Sequence, residues 1–282
     1  MAVSRTAQYV ALYRALESIE PEPRFVDRYA AAFLPRRYRL AVAVVRWTPL
    51  RRRLLRYADR RAPGSRTSAI ARTAFLDELV RREVAAGTEQ LVLLGAGFDC
   101  RAHRLAELAA TTVLEVDRAD TQREKRKRLA ALSLPARDVR YVAVDFLRDD
   151  VATRLADAGW RRDQRTLFVW EGVTNYLTAP AVRAVLTWMA GAAPGSRVAF
   201  TYVHAGLLDG SERFAGGAHM LANVRALGEP WTFGLRPDEV APFLAASGLT
   251  LEEDIGADDY RRRWLGAVDE GYAFYRIAVA RV

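Results

Sequence analysis

Carboxylates fall at the ends of three apolar runs in this 282-residue chain. Asp117 follows 112–116, Asp145 follows 139–144, and Glu171 follows 166–170. A fourth run, 91–94, ends instead in Gly95-Ala96-Gly97-Phe98-Asp99. Glycine lets a backbone pass close beside a ligand where a β-carbon would clash. A carboxylate at a strand end can accept from both hydroxyls of a ribose, from an adenine amine or from an ammonium group. Asp117, or its neighbour Glu115, suits the ribose; Asp145 suits the adenine amine, with Phe146 offering an apolar face; Glu171 suits a cofactor amine or the reacting centre. Strand, glycine turn, helix, strand, acid is the layout of a nucleotide-type cofactor crevice. Two glycines stand where a dinucleotide fingerprint has three, and Asp99 opposes a phosphate. The expected cofactor is therefore one without phosphate. S-adenosylmethionine, whose amine and sulfonium both favour nearby acids, fits.

Trp170-Glu171-Gly172-Val173-Thr174-Asn175-Tyr176-Leu177 continues the fourth run, so Tyr176 is expected to line an acceptor pocket at the carboxyl end of the sheet. If the acceptor must lose a proton, His204, placed directly after the fifth strand, is the leading candidate base. His219, Tyr176 and Asp209 are further candidates. His103 and the single cysteine, Cys100, read as packing residues. No His/Cys/Asp group has metal-ligand spacing, and no Ser-His-Asp arrangement appears, so no metal is expected.

These residues need a scaffold. Apolar runs and helical periodicities alternate from residue 67 to the C-terminus, with strands at 91–94, 112–116, 139–144, 166–170, 197–202, 249–255 and 273–280. Alternation of this kind implies a doubly wound, mostly parallel sheet with helices on both faces. The last two strands lack a helix between them, so one of them is expected to run antiparallel. Residues 1–62 read as a helical cap, with helices over 6–19, 27–33 and 36–60. The third helix is read as apolar inside at Leu40, Val44, Trp47, Leu54 and Leu55, and Pro49 is expected to interrupt it. The remaining domain is 63–282. Its longest irregular stretch, about 204–236, holds six glycines with Phe214, Trp231 and Phe233, and reads as a substrate-capping insert.

Composition narrows the classes. The net charge of +9 arises entirely within residues 1–65, which hold fourteen arginines and five acids; the remainder balances. No aromatic-interleaved basic strand or recognition helix accompanies that charge, so no nucleic-acid partner is expected. No apolar run reaches membrane-spanning length, and the N-terminus lacks an apolar signal segment; a cytoplasmic protein without a membrane partner is the expectation. The sequence leaves the oligomeric state open and is compatible with a homodimer.

Arg66-Thr67 with the helix through Asp77-Glu78, then LVLLGAGFDCRAHRL, VLEVD, YVAVDFLRDD and WEGVTNYL, resembles the leucine carboxyl methyltransferase family, above all its bacterial small-molecule branch. The resemblance covers about residues 60–202. It implies a class I, Rossmann-like methyltransferase using S-adenosyl-L-methionine, with a seven-stranded sheet, an N-terminal cap and an insert after strand five. It implies further that Arg66 meets the methionine carboxylate and that Gly95, Ala96 and Gly97 back the methionine moiety. Asp117 would hold ribose, Asp145 and Phe146 adenine, and Glu171 the methionyl part. The expected reaction is methylation of a small molecule of secondary metabolism, at oxygen or at an activated, indole-like aromatic carbon. The alternative is the C-terminal carboxylate of a peptide or protein, the substrate of the family's eukaryotic members. An NAD-dependent oxidoreductase and a non-catalytic nucleic-acid binder are the readings from other classes.

Overall fold

The computed structural model describes residues 5–45, 53, 55, 56, 59, 60, 63–132, 134, 137–146, 148–265 and 272–282. Trp47, Pro49 and Leu54 lie outside them. Seven strands form one sheet: β1 (Gln90–Leu94), β2 (Thr112–Asp117), β3 (Arg140–Ala143), β4 (Thr166–Trp170), β5 (Arg197–Val203), β6 (Thr250–Ile255) and β7 (Tyr275–Arg281). Their spatial order is β3-β2-β1-β4-β5-β7-β6. The first five pair in parallel, and β7 runs antiparallel to both β5 and β6. The expected antiparallel strand is thus the last one, inserted between β5 and β6.

Residues of one strand alternate between two cores. Val92 and Leu94 join Phe168, Trp170 and Phe200 on one face, whereas Leu91 and Leu93 join Leu167, Val169 and Ala199 on the other. A strand buried on both faces is apolar over most of its length, which is why LVLL in β1 and LFVW in β4 read as unbroken runs. The first core is covered by helices from 151–157, 179–189 and 237–245, the second by a 21-residue helix, Ser65–Ala85.

Among the described residues the α-helices include, in chain order, α1 (Arg5–Glu17), α2 (Arg36–Val45), α3 (Ser65–Ala85), α4 (Arg101–Arg104), α5 (Ala119–Ala130), α6 (Val151–Asp157), α7 (Ala179–Met189), α8 (Ala205–Asp209), α9 (Gly217–Ala226), α10 (Pro237–Ala245) and α11 (Ala257–Tyr260). Local chemistry sets several ends. Asp150 caps α6 by accepting from the Ala152 N–H, Thr178 caps α7, and Pro180 sits in its first turn, where no N–H is needed. The second helix expected over 27–33 is a single 3-10 turn, Ala30–Phe33.

The face assigned to the third helix is corrected. Leu40 and Val44 are 55% and 62% exposed, and α2 buries Val42 and Val45 instead. Arg36, Arg37 and Arg39 mark the outward side of α2, and at about 100° per residue Leu40 and Val44 fall between Arg36 and Arg37 while Val42 and Val45 fall opposite. The buried side packs on Phe33, Leu34, Phe98 and Cys100, a cluster distinct from the two sheet cores. The stretch 204–236 forms α8 and α9 and is closed at its base by a parallel bridge between His204 and Leu235. Within it Phe233 belongs to the first sheet core, while Phe214 and Trp231 pack with Val203, Tyr272, Phe274 and Tyr275.

Candidate active site

The carboxyl ends of β3, β2, β1 and β4 lie side by side and carry, in that order, Asp145, Asp117, the glycine turn and Glu171. The turn prolongs β1 by one hydrogen bond, from the Ala96 N–H to the Val116 carbonyl, 3.0 Å. Gly95 and Gly97 have φ of +66° and +46°, where a β-carbon is strained. Their surroundings differ. A β-carbon on Gly95 would stand 2.2 Å from Val173 Cγ2, so that glycine serves the packing of the turn against the β4 end. At Gly97 a β-carbon would meet the Ala7 β-carbon and the Gly95 carbonyl at 3.9 Å, ordinary contact distances, so there the positive φ rather than crowding calls for glycine.

Asp117 is half-buried and oriented by two backbone donors. The Gly97 N–H reaches Oδ2 at 2.6 Å and the Arg118 N–H reaches Oδ1 at 2.7 Å. Burial pushes its carboxyl above the ordinary aspartate value, against the pull of those two donors. Glu115, the alternative for the ribose, is fully buried and paired with Lys125 Nζ at 2.6 Å. Residue 115 lies within the sheet opposite Leu93 and Tyr141, whereas 117 lies beyond the last pair of the β1–β2 ladder. Asp145 stands half-exposed after β3, its N–H donating to Asp149 at 2.8 Å; Phe146 leans on Trp170 with ring centroids 6.2 Å apart.

Glu171 sits between two guanidinium groups, Arg72 Nε at 3.3 Å and Arg101 Nη2 at 3.6 Å. Neither arginine was selected from the sequence. The chain has two Arg-Thr pairs on α3, Arg66-Thr67 and Arg72-Thr73, and the turn of α3 that meets β4 is the second. Arg66 instead makes a bidentate contact with Asp59, at 2.8 and 2.7 Å. Arg72 also lies over the Tyr275 ring, 4.3 Å from its centroid. Arg101 is fully buried and bonded to Asp77 at 3.0 Å and to Asp99, whose carboxyl it helps hold down at about 2 despite burial. Asp99 is therefore neutralised locally, and the exclusion of phosphate rests less on it than on the acids that line the crevice.

Tyr176 lies in a 3-10 turn after β4, with its hydroxyl facing Trp231 of the insert and Thr6 of α1. Burial pushes its phenol up to about 12, so it stays a donor at neutral pH. Trp231 Nε1 has no hydrogen-bond partner of normal geometry. Thr6 Oγ1 donates to Glu229 at 2.9 Å, joining the N-terminal helix to the insert above Tyr176. His204 is buried and caps α8: its Nδ1 accepts from the Gly206 N–H at 3.1 Å, which leaves the proton on Nε2, 3.7 Å from Glu212. Both ring nitrogens are thus engaged at the root of the insert. His103 is buried and bonded to Tyr141 at 3.3 Å, and burial lowers its pKa to about 4. Cys100 is buried and its thiol is pushed well up by burial. Among the described residues no group of three or more His, Cys, Asp or Glu could hold a metal ion, and no helix is long and apolar enough to cross a membrane.

Comparison with known proteins identifies the family and the fold. Residues 7–190 match the family model for leucine carboxyl methyltransferase. A Frankia alni protein provisionally named an S-adenosyl-L-methionine-dependent methyltransferase is 38% identical over 216 residues, 76% of this chain and 72% of that one. A Mycobacterium tuberculosis protein of the same provisional name is 36% identical over 198 residues, 66% of this chain and 61% of that one. Two crystal structures share the fold over 95% of the chain. One, described as a methyltransferase of Thermobifida fusca, has a TM-score of 0.59 at 18% identity over 93% of its length. The other, a DUF574 family protein of Streptomyces avermitilis, has 0.61 at 16% over 96%. The family match ends before β5, so the insert that faces Tyr176 lies outside it.

Proposed function

The chain belongs to the leucine carboxyl methyltransferase family and is an S-adenosyl-L-methionine-dependent methyltransferase; from that premise we propose that it methylates a small molecule of secondary metabolism in the cytoplasm, at oxygen or at an activated aromatic carbon. One observation carries the cofactor side of this reading: Asp145, Asp117, the glycine turn and Glu171 follow one another along four neighbouring strand ends. The donor set fits a zwitterionic, phosphate-free adenosyl group. In this reading Asp145 and Phe146 hold adenine, and Asp117 accepts from the ribose hydroxyls. Gly95, Ala96 and Gly97 form the wall behind the methionyl chain. Glu171 takes the ammonium. Arg72 rather than Arg66 takes the carboxylate, because Arg72 stands beside Glu171 while Arg66 is held by Asp59.

S-adenosyl-L-methionine, when bound, supplies an electrophilic methyl group on its sulfonium. The protein's share is alignment and exclusion of water. The bond between Thr6 and Glu229 roofs the crevice next to Tyr176, and Tyr176, Trp231 and Tyr275 offer aromatic walls. Aromatic side chains on this side favour a compact, flat acceptor over the extended C-terminus of a protein. Tyr176, protonated at neutral pH, orients the acceptor as a hydrogen-bond donor. His204 is assigned to the α8 corner rather than to proton transfer, since its Nδ1 already accepts from Gly206.

Titration calorimetry tests the cofactor: S-adenosylhomocysteine should bind and NAD should not. A folded sample that binds neither, or only NAD, would overturn the reading. Incubation with methyl-labelled cofactor and fractions of small molecules or of peptides, read by mass spectrometry, tests the acceptor. Label found in peptide C-termini alone would replace the small-molecule reading with the carboxylate one.

A further inference from the structure

Phe98, the residue after the second glycine of the turn, is 2% exposed, but its side chain is not in either sheet core. It is buried among Ala11, Ala15, Tyr29, Phe33 and Leu34 of the N-terminal segment. The Phe33 ring stacks on it, with centroids 4.5 Å apart and 19° between planes. Arg14 of α1 donates through Nη2 to the Phe98 carbonyl, and its Nε lies 3.1 Å from Asp27 Oδ2. Asp27 Oδ1 in turn accepts from the N–H groups of Tyr29 and Ala30, both at 3.0 Å, which fixes the 3-10 turn that carries Phe33. Arg14 and Asp27 are both buried, so these contacts are made away from water and losing one partner strands the other. Two peptide groups earlier in the same turn, which the Asp99 N–H closes on the Ala96 carbonyl at 2.7 Å, the Gly97 N–H is the donor that orients Asp117.

Two adjacent residues therefore tie the N-terminal helices to the carboxylate at the end of β2. Gly97 and Phe98 are the two central residues of that turn, and Gly97 supplies its φ of +46°, so holding Phe98 from the N-terminal side holds the turn that aims the Gly97 N–H. We infer that Arg14 is a positioning residue for the cofactor: with Phe33 it locks the turn in the conformation that presents Gly97 and Asp117, so that docking of the N-terminal helices and cofactor binding are coupled. Coupling of this kind is reciprocal, and a bound cofactor stabilises α1 on the sheet to the same degree. α1 also carries Thr6, which reaches Glu229 and faces Tyr176, so the cofactor organises the acceptor side through the same helix. The inference rests on the cofactor reading proposed above.

The test uses the full chain, S-adenosylhomocysteine as the probe, and two measurements. Hydrogen exchange of the α1 amides should slow about tenfold on addition of the probe, and Arg14→Met should raise its Kd by about tenfold. Arg14→Lys, which keeps the charge, should recover part of the affinity. Arg36→Met, on the exposed side of α2, should leave it unchanged. If Arg14→Met does not fold, Phe33→Leu, which keeps bulk and loses the ring, reads the same coupling. A folded Arg14→Met chain with a Kd within about twofold of the parent, or α1 exchange indifferent to the probe, would overturn the inference. Failure of the parent chain to bind the probe would instead overturn the cofactor reading itself.

Discussion

Replacing Asp117 with Asn separates the cofactor role of that carboxylate from its structural one. The two oxygens serve different backbone donors, Oδ2 the Gly97 N–H and Oδ1 the Arg118 N–H. An amide of the same shape can keep one of them and must turn its NH₂ toward the other. That loses one hydrogen bond, about 1 kcal/mol, partly offset because a neutral side chain no longer bears the cost of burying a charge. A melting temperature lower by only a few degrees, about 2–4 °C, is the expected stability effect. The cofactor effect is larger. Bonds from two ribose hydroxyls to a charged acceptor contribute about 1.5–3 kcal/mol each, and one neutral acceptor survives, so about 3 kcal/mol should be lost, roughly a hundredfold in Kd. Calorimetric titration of Asp117→Asn with S-adenosylhomocysteine, beside a thermal melt, reads both quantities. A ligand lacking the ribose 2′-hydroxyl completes a cycle: it should bind parent and variant with a smaller difference than the full ligand does. A folded variant whose affinity stays within about threefold of the parent would refute the ribose role, because no arrangement in which both hydroxyls meet this carboxylate is that insensitive to its charge.

Three other expectations follow from particular contacts. Gly95→Ala places a β-carbon 2.2 Å from Val173 at a positive φ, so stability should drop by about 2–4 kcal/mol in denaturant melts, and adding Val173→Ala should restore part of it; no recovery in the double variant would show that the clash is not the cause. His204→Asn keeps an acceptor for the Gly206 N–H, so turnover of an identified acceptor should stay within about threefold of the parent, whereas a loss of a hundredfold or more would return His204 to the role of base. His103, with its pKa lowered to about 4 by burial, takes up a proton more readily in the unfolded chain, so stability should fall as pH drops from about 6.5 to 4, by up to about 3 kcal/mol. His103→Gln should flatten that part of the pH–stability curve, and an unaltered slope would place the acid sensitivity elsewhere.

Strand ends were legible in the linear chain because a parallel strand buried on both faces is an apolar run with abrupt limits. Whatever follows such a run stands at the edge of the crevice. Gly97, Asp117, Asp145 and Glu171 were all found that way, with no knowledge of which strands are neighbours. The choice between Glu115 and Asp117 was not local. Both follow the same alternation along β2, and only the length of the β1–β2 ladder and the position of Lys125 on α5 put one inside the sheet and the other beyond it.

Helix residues were less legible still. Arg66 and Arg72 are equivalent as Arg-Thr pairs on one helix, and the docking of α3 against β4 decides which of them meets Glu171. Leu40 and Val44 were misplaced although the period was there to read: both share the side of Arg36 and Arg37, and reading 36–60 as one helix obscured the stripe of Val42 and Val45. Sequence alone thus determined the fold class, the cofactor chemistry and the strand-end residues, since these depend on patterns a few residues long. The tertiary structure alone decided that Arg72 rather than Arg66 meets Glu171, that His204 caps α8, and that Phe98 belongs to the N-terminal cluster. Each of those depends on contacts between elements far apart in the chain, whose approach is set by the packing of whole helices and leaves no local mark on the sequence.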